Sequence, residues 1–160
     1  MQGCAAAGRL RGDGGCRSWG HGRARHRSGR PQPKDVPAAK AAVIQAFADA
    51  FTPSNSQEVK DAAKEDPTLV DPLGQQAATA AMQGGYSADQ LAGLTVSIGD
   101  VVFTDQTHAT VQLSLTIPGH GTVISDRTEH AVFVDGRWKV ARQTSCDLLS
   151  VSIGGVRCPS

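Results

Sequence analysis

Ala109-Thr110-Val111-Gln112-Leu113-Ser114-Leu115-Thr116-Ile117 alternates apolar and polar side chains without a break. A period of two over nine residues predicts a strand with one face buried and one face wet. Pro118-Gly119-His120-Gly121 follows it as a turn. Beyond that turn a third strand is expected over about 122–134. Asp135-Gly136 is a two-residue hairpin signal, because both positions accept positive φ. A last strand is expected from Arg137 to about Leu149.

Upstream of that strand, Leu94, Val96 and Ile98 alternate with Thr95 and Ser97. Gly99-Asp100 interrupts before Val101-Val102-Phe103, the mark of a bulge. The period changes upstream. Val36, Ala39, Val43, Phe47, Ala50 and Phe51 recur every three or four residues, which predicts a helix capped by Asp35 and ended by Thr52-Pro53. A short polar helix is expected after Ser54-Asn55-Ser56, with Pro67 ending it. A third begins at Asp71-Pro72 and stops at Gly84-Gly85. Ser87 and Gln90 can cap one further turn. Helices first and antiparallel strands last means α+β, with helices packed on one face of a curved sheet of about four strands.

The chain has 160 residues and a net charge of +1, which hides two unlike segments. Residues 1–33 carry seven Arg and one acid, Asp13, and hold eight Gly. The body, by contrast, carries a charge of −5. Residues 1–34 read as a disordered basic tail, or as the product of a start site placed too early. The tail shows no apolar run of signal-peptide length. The body, 35–160, reads as a single domain. Its acidity argues against a nucleic-acid surface on the fold, and no stretch approaches a membrane span.

Cys146 and Cys158 are separated by eleven residues. A bridge between them would pin the C-terminus and imply an oxidising compartment. Two separate buried thiols are the alternative. The bridge is favoured because a free terminal thiol is a chemical hazard. Cys4 and Cys16, with His21 and His26, do not match zinc-finger spacing, so no metal site is expected.

Asp135-Gly136-Arg137-Trp138-Lys139-Val140-Ala141-Arg142, with Thr144, Cys146, Leu148-Leu149 and Gly155-Val156-Arg157-Cys158-Pro159, resembles the secreted low-molecular-weight antigen family of mycobacteria and relatives. The resemblance spans about residues 35–160. It implies a nuclear-transport-factor-2-like cone, with helices wrapped on a strongly curved sheet whose open end forms a pocket. It also implies a secreted or cell-envelope protein, and it carries over no catalytic residues.

Enzymes on such cones place an acid or base in the pocket. Candidates here are Tyr86, His108, Asp126, Glu129 and His130. Asp126 and His130 share parity but stand roughly 13 Å apart along a strand, too far to bond directly. Asp126, Thr128 and His130 read best as a solvated stripe. An inward Arg142 would suit an anion. No phosphate loop, metalloprotease helix or serine elbow is present.

The expected function is therefore a non-catalytic exported or envelope-associated domain that binds a small ligand or an envelope protein. Tyr86, Asp126, His130 and Arg142 are its pocket candidates, with no cofactor and no catalytic residue. The alternatives are a pocket isomerase or dehydratase acting on a small apolar substrate, and a homodimerisation module.

Overall fold

The computed structural model describes residues 29–153. The basic tail up to residue 28 and Cys158 lie outside the described residues.

Helix α1 (Val36–Phe51) starts where Asp35 accepts the Ala38 N–H and buries Ala39, Val43, Phe47 and Ala50. Two short helices and one long one follow before the strands: α2 (Gln57–Ala62), α3 (Pro67–Gln83) and α4 (Ala88–Ala92). Ser87 and Gln90 form a complete capping box at α4. The sheet is antiparallel in the order β1 (Thr95–Phe103), β2 (His108–Ile117), β3 (Gly121–Val134), β4 (Arg137–Val140). The register of β1 on β2 slips between Ile98 and Val101, where the Gly99-Asp100 bulge is expected. Asp135 and Gly136 both take positive φ, 55° and 76°, as their hairpin turn requires.

The strand β2 buries every apolar member of its alternation and leaves the polar members half-covered or exposed. Val111, Leu113, Phe47, Val43 and Val140 form the centre of one core between the sheet and α1. Each such side chain contributes roughly 1.5–3 kcal/mol by leaving water.

Three expectations are corrected. First, the sheet is not strongly curled. Its last strand, β4, has only four residues and stops at Val140. Second, residues 142–149 are not strand. Helix α5 (Arg142–Ile153) occupies them, so Cys146 and Arg142 sit on a helix. Thr144, Ser145 and Leu148 then fall on one face, and all three are buried. The first N–H of α5, on Arg142, is taken by Glu65 Oε2 at 2.7 Å. The Thr144 hydroxyl accepts the His130 N–H at 2.7 Å and donates to the His130 carbonyl at 3.0 Å, which moors the helix to β3.

Third, α3 begins at Pro67 rather than at Pro72, because Asp66 accepts the Leu69 N–H and Pro67 occupies the first turn. Pro72 therefore lies inside the helix, exposed, with no N–H for the Thr68 carbonyl. Pro is about 3 kcal/mol worse than Ala in a helix interior. Releasing the unfolded chain returns roughly 0.4–1 kcal/mol of that. Pro72→Ala should thus stabilise the domain by about 2 kcal/mol, read as a higher urea midpoint at unchanged slope. An unchanged or lower midpoint would show that Pro72 serves the packing of α3.

Candidate functional site

Helix α3 docks on α5 and α2 and stands off the sheet. The small side chains of Ala77, Ala78 and Ala81 face that gap and leave it open. The result is a cavity of about 540 Å³ whose other walls are Ala50 and Phe51 of α1 and Leu94, Leu115, Ile117 and Ile124 of the sheet end. Tyr86 lines it, with its ring 4.6 Å from that of His120. A second hollow of about 390 Å³ shares Ala50, Phe51, Lys60, Ala78, Leu94 and Leu115 with the first. It continues past Val70 and Leu148 to Lys64 and Asp71. The two form one apolar trough under α3.

The larger hollow has Lys60 and Tyr86 as its polar lining, and the smaller adds Gln57, Lys64, Asp71, Gln75 and Ser145. Lys60 lines both halves, and its Nζ donates to the Pro53 carbonyl at 2.9 Å. Lys64 is ion-paired to Asp71 and lies 3.9 Å from Asp61. Burial raises the Asp71 pKa, but the hydrogen bonds from Lys64 and with Asp61 outweigh it and hold the carboxyl below the ordinary value.

Of the four pocket candidates, only Tyr86 lies in this trough. His130 and Arg142 meet in a separate polar cleft of about 560 Å³, together with Glu65, Asp66, Thr104 and His108. Beside it, the Thr107 backbone N–H and the His108 ring hold the Asp105 carboxyl at about 2. Asp126 lines neither cleft. It adopts φ 46° in a bulge of β3 and donates its N–H to Ser114 Oγ at 3.0 Å. That bulge lets Leu113 pair with Arg127 while Leu115 pairs with Ile124. Parity therefore flips along the strand. Ile124 faces the trough, yet beyond the bulge Glu129 and Ala131 face the core. Val132 and Val134, which share the parity of His130, are half-buried. Asp126, Thr128 and His130 are exposed, in keeping with a solvated stripe.

Glu129 is the buried acid, 0% exposed. Arg127 Nε lies 2.8 Å from Oε1, yet among the described residues neither carboxylate oxygen has a hydrogen bond in good alignment. Burial pushes its pKa up, and Asp147 adds to this, while Arg127 and Thr144 oppose it. Glu129 lines neither half of the trough. Among the described residues no three His, Cys, Asp or Glu side chains gather to hold a metal. No described helix is long and apolar enough to cross a membrane.

The trough-forming helices and sheet lie within residues that match a family model. The model is that of the low molecular weight antigen MTB12, C-terminal domain, and it matches residues 35–155. The chain belongs to this family. A comparison with curated proteins found no match. The family match begins at Asp35, the residue that caps α1. In this MTB12-family domain, sequence reasoning missed Lys60, Leu115 and Ile124 as wall residues. The alanine run of α3 was the available signal, since a helix too thin to fill its own interface leaves a gap.

Proposed function

We propose that this domain is an extracytoplasmic, non-catalytic binding module whose trough under α3 takes a small apolar ligand. The observation that carries the reading is the trough itself: about 540 Å³ in its larger half and walled mainly by aliphatic side chains. Ligand sites are commonly concavities of about 300–1,000 Å³ with few polar groups. The non-catalytic reading rests on the position of Glu129. A pocket enzyme needs its acid within reach of substrate; this carboxylate lines neither half of the trough, and Asp71, which lines the smaller half, is held in an ion pair by Lys64. The antigen family supports an exported protein, as does the expected Cys146–Cys158 bridge. Cys146 is buried on α5, at 4% exposed, where a bridge to the terminal segment would fasten the helix that carries α3.

The test uses N-phenyl-1-naphthylamine, a neutral apolar dye that brightens when removed from water. The full chain should bind it with micromolar affinity. Ala78 is exposed on α3 and lines both halves of the trough, so Ala78→Trp should fill the space without disturbing the core. Dye binding should drop at least ten-fold with the circular dichroism spectrum unchanged. Equal binding by the two proteins would place the dye elsewhere and remove the reading.

A further inference from the structure

The charges along the trough are unequal. Lys64 is neutralised by Asp71 and Asp61. Lys60 has no carboxylate partner among the described residues, and its Nζ has one protein acceptor there, the Pro53 carbonyl. An ammonium carries three donors, so donors remain for a ligand. Lys60 and Pro53 both line the larger hollow, and Lys60 also lines the smaller one. One cation with no carboxylate partner among the described residues thus stands where an aliphatic hollow joins a more polar one.

We infer that the trough binds single-chain alkyl carboxylates, with the chain along Ala78, Leu94 and Leu115 and the carboxylate on Lys60. The inference rests on the binding reading above and adds the ligand class to it. A neutral hydrocarbon would leave the Lys60 charge unanswered. A bulky polar ligand in the larger hollow would bury groups that its alanine and leucine walls cannot satisfy. A dicarboxylate would set its second charge against apolar wall or beside Asp71.

The experiment displaces the neutral dye from the full chain with free carboxylates of ten to fourteen carbons, below their micelle concentrations, and with tetradecan-1-ol as the neutral match. Affinity should tighten about four-fold per added methylene. Tetradecanoate should bind roughly ten-fold or more tighter than tetradecanol, because a charge-assisted hydrogen bond is at stake. Lys60→Met should collapse that acid-to-alcohol ratio towards one, and Lys60→Arg should restore most of it. Acid and alcohol binding equally, or a ratio unmoved in Lys60→Met, would overturn the carboxylate assignment while leaving an apolar site in place. Binding to phosphatidylglycerol vesicles with no binding of free carboxylate would likewise overturn it. Failure of the neutral dye itself to bind would instead strike the reading beneath.

Discussion

Arg127→Met should destabilise the domain by about 2–4 kcal/mol at neutral pH, and Glu129→Leu should rescue it. Glu129 is fully buried, and the guanidinium at 2.8 Å is its charge partner. Removing one member of a buried pair leaves an uncompensated charge, which costs about 3–5 kcal/mol. Arg127 is one-third exposed, so solvent screening lowers the figure. Replacing the carboxylate by an apolar group of similar size removes the desolvation cost, and such replacements are often neutral or stabilising by roughly 1–4 kcal/mol. The double variant should therefore be at least as stable as the parent in urea. A double variant as weak as Arg127→Met alone would mean that Arg127 acts through packing.

The same carboxyl sets a pH dependence. Its folded-state pKa is raised above the ordinary 4.5 by burial. The folded state therefore binds the proton more tightly than the unfolded chain. Stability from this group is full below 4.5 and is lost as pH rises through the folded value. Asp105 and Asp71 act in the opposite sense. Thr107 and His108 depress Asp105 to about 2, and Lys64 and Asp61 depress Asp71. Their stabilisation is present above 3.8 and fades as pH falls through their folded values. Stability should thus peak on the acid side of neutrality, at about pH 4–5. Glu129→Gln should abolish the rise between neutrality and that peak and leave the acid limb in place. Urea midpoints across pH measure it, and a parent protein that only weakens on acidification contradicts it.

The second large effect concerns Cys146 and Cys158. Breaking a bridge that closes a loop of this length should lower stability by roughly 3 kcal/mol on the chain-entropy model. Urea unfolding with and without reductant reads the loss, and Cys146→Ser should reproduce it without reductant. The intact mass after alkylation of the native chain checks the pairing directly. Two labelled thiols among residues 35–160 would refute the bridge and, with it, one of the two grounds for an oxidising compartment.

Much of the fold was legible because its signals are local. The Ala109–Ile117 alternation, the Ser87/Gln90 capping box, the Gly99-Asp100 slip and the Asp135-Gly136 turn each depend on residues a few positions apart. The site was less legible. Tyr86 lines the proposed trough, whereas His130 and Arg142 line a different cleft and Asp126 lines neither. A single bulge explains much of this. One residue at φ 46° reverses which parity of β3 faces the core, so that Glu129 and Ala131 are buried.

The sequence by itself determined that helices precede four antiparallel strands and that a hairpin joins the last two, but not where α3 begins or where β4 ends. Hydrophobic period and turn chemistry act over one or two turns of chain, and they leave the same imprint whatever the rest of the molecule does. Only the tertiary structure decided that residues 142–153 are helical. Ser and Thr are weak helix formers, and the first N–H of α5 finds its acceptor in Glu65, 77 residues earlier. The trough has the same origin. It exists because α3 leans on α5 rather than on the sheet, a choice set by contacts between segments that no local pattern records.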